Sequence, residues 1–95
     1  MRLATVLGQV VATVKDPGLD RFTLLVVQDG PEEPSTEPAP YVAVDLVGAG
    51  VGELVLVVGG SAARTAAGVD VPTDRAVVGI ADTVIQRGTV TYRKS

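Results

Sequence analysis

The chain has 95 residues, 46% of them apolar and 20% charged, with a formal net charge of −3. This fits one small folded domain and excludes a disordered chain, and the acidic balance excludes a general binder of nucleic acid or anionic membrane. The sequence holds no Cys, His, Trp or Asn, which removes thiol nucleophiles, structural zinc sites, haem ligation through His or Cys, and Ser-His-Asp triads.

Acid–base chemistry would fall to carboxylates, Lys or Tyr. No disulfide can form, so nothing signals secretion. No stretch approaches the ~18 uninterrupted apolar residues of a membrane-spanning helix, so no membrane partner is expected and the expected compartment is the cytoplasm. A domain of this size buries only about 60–65% of its unfolded surface and gains stability from oligomerising.

Valine supplies 19 residues and Thr nine. Both are β-branched and suit a pleated sheet, and the runs they form are short and separated by Gly, Pro and Asp. The pattern predicts an all-β barrel or sandwich. The first run, Leu3–Val14, is interrupted by Gln9 and reads as a strand rather than a signal peptide. Lys15-Asp16-Pro17-Gly18 ends it, with Pro17 presetting φ and Gly18 supplying a positive φ. Phe22–Gln28 is the second run and completes a hairpin.

Residues 29–40, DGPEEPSTEPAP, hold four of the six prolines and four acidic residues. Pro cannot donate to a ladder, so this segment reads as an exposed loop, either a solubilising insertion or an acidic partner-binding loop. Tyr41–Val47 is the third run, Gly48–Gly52 a glycine-rich loop, and Glu53–Val58 the fourth run. Ala62–Ala67 reads as one short helix with Ser61 as its N-cap and Gly68 at its end. Pro72 and Asp74 mark a turn, Ala76–Gln86 is a fifth run, and Thr89–Arg93 is a short sixth.

Four constellations bear on chemistry. Gly48-Ala49-Gly50-Val51-Gly52 follows a strand like a dinucleotide loop, but Glu53 stands where G-x-G-x-x-G needs its third glycine, and a strand follows instead of a helix. A tight loop that lets another subunit approach closely suits it better. Gly59-Gly60-Ser61 with Arg64 has the makings of an anion nest, but no Walker lysine is present and a helix cap with an interface Arg is preferred. Asp45 and Asp82 each sit inside an apolar run. Paired in one cleft they would suit a small carboxylate enzyme; bonding to backbone N–H groups or pairing with an Arg is the better reading. Lastly, a barrel that binds single strands wants stacking aromatics in a basic groove, and the only aromatics are Phe22, Tyr41 and Tyr92. The residues therefore describe a structural or assembly subunit without a credible active site.

The order of motifs adds to this. Val10-Val11-Ala12-Thr13-Val14-Lys15-Asp16-Pro17, Leu24–Gln28, Val42-Ala43-Val44-Asp45-Leu46-Val47-Gly48-Ala49-Gly50-Val51-Gly52-Glu53, Gly60-Ser61-Ala62-Ala63-Arg64 and Ala76–Val84 together resemble the EutN/CcmL family, the vertex proteins of bacterial microcompartments and carboxysomes. The resemblance runs from Leu3 to about Ile85, and it departs at Ala62, where members usually carry a second Ser. It implies a single domain over 1–95 with residues 29–40 as a variable exposed loop. The implied fold is a small five- to six-stranded OB-like β-barrel with one short helix. It also implies a homo-oligomeric ring, a pentamer or in some members a hexamer, set in the shell among hexameric and pseudohexameric tiles. Neither catalysis nor a cofactor is implied. The expected assembly contacts are Gly48, Ala49, Gly50, Gly52 and Glu53 in the loop, with Gly60, Ser61, Ala63 and Arg64 at the helix. The other readings are an OB-like module for a small ligand or single-stranded nucleic acid, and the carboxylate enzyme.

Overall fold

The computed structural model describes residues 1–30 and 38–94. The valine-rich runs become β1 (Arg2–Val10), β2 (Thr23–Asp29), β3 (Tyr41–Asp45), β4 (Leu54–Gly59) and β5 (Arg75–Ile80). These five close into a barrel in the order β1-β2-β3-β5-β4, the OB-like arrangement that removes exposed sheet edges by closure. Four junctions are antiparallel, and β3 pairs with β5 in parallel. A seven-residue helix, α1 (Ser61–Ala67), crosses from β4 to β5.

Alternation along the strands divides the core in two. Ala4, Val6, Leu25, Val27, Ala43, Val55, Val57 and Val77 fill the barrel interior. On its outer face Val44 and Ala76 meet Ala63, Ala67 and Val71. Ala63 and Ala67 are four residues apart and share one helix face, and their small side chains let α1 lie close to the wall. At Ala43–Val44 of β3 and Ala76–Val77 of β5 apolar residues fall on successive positions because both faces are covered there.

Several boundaries differ from the sequence expectation. β1 ends at Val10 instead of Val14. The fifth run breaks at Ala81 and Asp82, and its second half, β6 (Thr83–Gln86), pairs with β7 (Thr89–Arg93) in a separate two-stranded sheet. The barrel thus has five strands, within the five to six expected, and the sixth run lies outside it. Asp29 is the last residue of β2 instead of the first of a loop. Of that loop, residues 31–37 lie outside the described residues, while Pro38, Ala39 and Pro40 are exposed.

The helix is capped by Gly60 and not by Ser61, which is its first helical residue and makes no capping bond. Gly60 instead donates its N–H to the Asp74 carbonyl at 2.9 Å. The helix does end at Gly68, whose N–H reaches the Arg64 carbonyl at 2.7 Å. Pro17–Leu19 forms a 3-10 turn in which the Asp16 carboxylate accepts from the Gly18 N–H at 2.8 Å. Gly18 is not among the positive-φ glycines. It is needed for space, because a Cβ there would lie 2.8 Å from the Pro72 ring. Gly18→Ala should therefore lower stability by about 1–3 kcal/mol, the usual cost of overpacking, measured by denaturant unfolding at fixed protein concentration.

Candidate assembly surface

The loop between β3 and β4 is built by two carboxylates. Asp45, the last residue of β3, accepts from the N–H groups of Val47 and Gly48 through Oδ1, both at 3.1 Å, and from Ala49 through Oδ2 at 2.9 Å. At the other end Glu53 Oε1 accepts from the Gly50 N–H at 2.6 Å, while the Glu53 N–H donates to the Gly50 carbonyl at 3.1 Å. Gly52 donates to the Val6 carbonyl at 2.8 Å, which ties the loop to β1. Gly48 and Gly52 adopt φ of +77° and +88°, a region costly for residues with a Cβ. Gly50 does not, and a Cβ there would meet only Glu53 Oε1 at 3.4 Å.

The result is a hydrogen-bonded loop that exposes glycine backbone together with the side chain of Val51. Gly48, Gly50 and Gly52 are exposed, with Val51 73% exposed among them, and Ala49 is tucked against the barrel core. Glu53 is half-buried, and its second oxygen is 2.6 Å from Lys94 Nζ. The Lys94 hydrogen bond and the Gly50 N–H hold the Glu53 carboxyl below its ordinary value, and Glu53 in turn raises the Lys94 ammonium. This pairing contributes above pH 4.5 and is lost as pH falls through the lowered Glu53 value.

The second expected group stands elsewhere. Gly60, Ser61 and Arg64 are exposed, whereas Ala63 is fully buried and acts by seating the helix. The loop enters β4 at Leu54 and the helix leaves it at Gly59, so the two groups lie at opposite ends of a strand roughly 17–20 Å long. Asp45 is committed to backbone N–H groups and Asp82 is exposed at the end of β5, an arrangement unlike a shared catalytic cleft. No cluster of three or more His, Cys, Asp or Glu able to hold a metal occurs among the described residues.

Sequence reasoning missed a charged cluster on the barrel rim. Asp29 accepts from Arg2 at 2.6 Å and from the Tyr41 hydroxyl at 2.7 Å, and the Arg75 guanidinium lies 5.3 Å from the Tyr41 ring centroid. Four adjacent strands are tied this way. The partners come from distant parts of the chain, so no local spacing announces them. Burial pushes the Tyr41 phenol up, and Asp29 pushes it further, to about 12. Burial also raises Asp29, but the hydrogen bonds from Tyr41 and Arg2 outweigh it and hold the carboxyl below its ordinary value. The β6–β7 hairpin was missed too. Its turn, Arg87 and Gly88 with φ of +51° and +76°, is signalled only by Gly88 between two β-branched runs.

A family model described as "Ethanolamine utilisation protein EutN/carboxysome" matches residues 1–82. Among curated proteins, the bacterial microcompartment shell vertex protein EutN of Salmonella typhimurium is 44% identical over 95 residues, covering 99% of this chain and 96% of the relative. The carboxysome shell vertex protein CcmL of Synechocystis is 51% identical over 85 residues, covering 88% and 85%. A solved structure of ethanolamine utilization protein EutN superposes with a TM-score of 0.89 at 42% identity over the whole of both chains. A GrpN pentameric microcompartment shell protein from Rhodospirillum rubrum does so with 0.78 at 44%, covering 90% of this chain and 99% of its own.

The matched relatives are shell vertex proteins, a structural class and not an enzymatic one. The chain belongs to the EutN/CcmL family of microcompartment shell vertex proteins. The family match gives no support to the ligand- or nucleic-acid-binding alternative.

Two outcomes check the electrostatics and the loop. Tyr41 contributes fully below pH 10, and its contribution fades as pH rises through about 12. A phenolate absorbance titration should show one step near 12 that Tyr41→Phe removes. Asp45→Ala strands three loop N–H groups and should cost about 1–3 kcal/mol, read from thermal unfolding at fixed concentration.

Proposed function

We propose that this chain assembles as a ring of five that fills the five-fold vertices of a polyhedral microcompartment shell in the cytoplasm and closes it around encapsulated enzymes. The observation that carries this reading is the match to GrpN, described as a pentameric microcompartment shell protein, at 44% identity over 90% of the chain. Hexagonal tiles alone make flat sheets, so closing a shell requires pentagonal units, and hexameric and pseudohexameric shell proteins are the partners at the ring's outer edge. Residues 1–95 act as one unit in the ring.

A ring uses heterologous contacts, in which one patch meets a different patch on the next copy. The loop of Gly48, Ala49, Gly50, Gly52 and Glu53 is one such patch. The helix start, with Gly60, Ser61 and Arg64 on its surface and Ala63 beneath, is a second at the far end of β4. The N–H groups of Val47, Gly48, Ala49, Gly50 and Gly52 are bonded within the subunit, so the loop offers a neighbour a fixed shape.

Native mass spectrometry tests the ring. The expected species is near 48 kDa, five times 9.7 kDa; a species near six times that value would make the ring hexameric, and a persistent single chain would overturn the reading. Gly50→Val keeps an allowed backbone and displaces only the tip of Glu53. It should retain the far-UV circular dichroism of the barrel and lose the five-fold mass. Gly52→Val, at φ +88°, should destabilise the subunit itself by about 1–2 kcal/mol.

A further inference from the structure

At the end of the barrel where β4 passes into the helix, each strand finishes on one inward-facing position. Side chains alternate along a strand, so the residues two steps outward from Ala4, Val27, Ala43, Val57 and Val77 of the barrel interior face the same way. Those residues are Arg2, Asp29, Tyr41, Gly59 and Arg75. Four of them form the charged cluster on the rim, and the remaining one is a glycine. The mouth of the barrel is thus a circle of polar side chains with a gap at β4. That gap lies between the two arginines, because β4 pairs with β1 on one side and β5 on the other. A cavity of about 260 Å³ opens there, lined by Met1, Arg2, Val57, Val58, Gly59 and Arg75.

The two guanidiniums differ in how far they are already engaged. Arg2 pairs with one oxygen of Asp29 at 2.6 Å, and the Tyr41 hydroxyl donates to the other at 2.7 Å. Arg75 is half-buried, with its guanidinium 5.3 Å from the Tyr41 ring centroid. It also lies against bare backbone, since a Cβ on Gly59 would stand 2.6 Å from its Nη1. Among the described residues its side chain donates only to the Asp74 carbonyl, at 3.3 Å, and forms no ion pair. A guanidinium presents five N–H donors in a planar fork. Most of those on Arg75 have no acceptor, in a partly buried place where an unpaired charge is costly. Two arginines against one aspartate leave the mouth with a positive charge in excess.

We infer that this barrel mouth binds a small carboxylate, held by the Arg75 fork and contacted by Arg2 across the gap at Gly59. The planar fork matches a carboxylate through two parallel bonds, and the single excess charge favours a singly charged ligand. A short hydrocarbon tail would lie along Met1 and Val58, which line the same cavity. Mouths of β-barrels are a recurrent place for small ligands. Every contact comes from one subunit, so the site does not depend on the ring reading.

The test titrates the full chain, labelled with nitrogen-15, with sodium butyrate against sodium chloride at fixed ionic strength. Saturable NMR shifts are expected at Arg2, Val57, Val58, Gly59 and Arg75. Arg75→Gln should weaken binding about ten-fold or more, the usual worth of a hydrogen bond to a charged group. Asp29→Asn should tighten it, because that change removes the carboxylate competing for Arg2; a cluster with only a structural role would not gain affinity. Shifts that fail to saturate, shifts scattered over the surface, or an Arg75→Gln variant that binds like the original chain would each overturn the site. Tighter binding of inorganic phosphate than of butyrate would overturn the carboxylate assignment. Should Arg75→Gln fail to fold, Arg75→Lys keeps the charge without the fork. It should bind butyrate several-fold more weakly, and unchanged affinity would overturn the proposed grip.

Discussion

Everything in the barrel depends on closing the seam between β3 and β5. It is parallel, and it is held over only two register pairs, Val44 with Ala76 and Asp45 with Val77, extended by the Leu46 N–H to the Val77 carbonyl at 3.1 Å. Parallel pairing is somewhat weaker per residue than antiparallel, so a seam this short needs support from outside. Helix α1 supplies it, because Val44 and Ala76 pack under Ala63, Ala67 and Val71. A seven-residue helix does not persist alone in water, so helix and seam stabilise each other. That dependence explains why the covering face of the helix is alanine, which brings the helix axis closest to the strands it holds.

The charged residues follow from the same seam. Asp45 ends β3 and turns its carboxylate onto the N–H groups of Val47, Gly48 and Ala49, just past the Leu46 N–H that extends the seam. Arg75 begins β5 at the other end and lies over Tyr41, whose hydroxyl holds Asp29. Among the described residues no buried side-chain polar atom lacks a partner. Acids that look like catalytic candidates in the sequence thus serve as acceptors for backbone donors, where a charged acceptor is worth more than a neutral one.

What the sequence made legible was local. The second and fourth runs stand within a residue of where side-chain preference put them, the third begins at Tyr41 but stops at Asp45 instead of Val47, and the helix ends at Gly68 as expected. Propensity does not say where a partner strand runs out. Val11–Val14 are as strand-prone as the residues before them, but no neighbour pairs with them, and β1 stops at Val10. Asp82 inside an apolar run was the available sign that the fifth run is two strands, since Asp is disfavoured in strands. Gly18 was read as a torsional requirement when the constraint is the Pro72 ring, a contact 54 residues away. The Arg2–Asp29–Tyr41–Arg75 cluster was invisible for the same reason, because only barrel closure brings those residues together.

Ring closure explains why so much of this small chain is spent on rigidity. In a heterologous ring each contact repeats the same rotation, so an angular error at one interface recurs at every other and the ring fails to meet itself. A surface that fixes that rotation must not flex. As a proposed contact patch the β3–β4 loop suits the requirement: the N–H groups of Val47, Gly48, Ala49, Gly50 and Gly52 are taken by Asp45, Glu53 and Val6, its positive φ values are met by glycine, and Ala49 packs against the core. On the proposal that it is a contact patch, what it offers a neighbour is contour, which fixes the rotation from one subunit to the next.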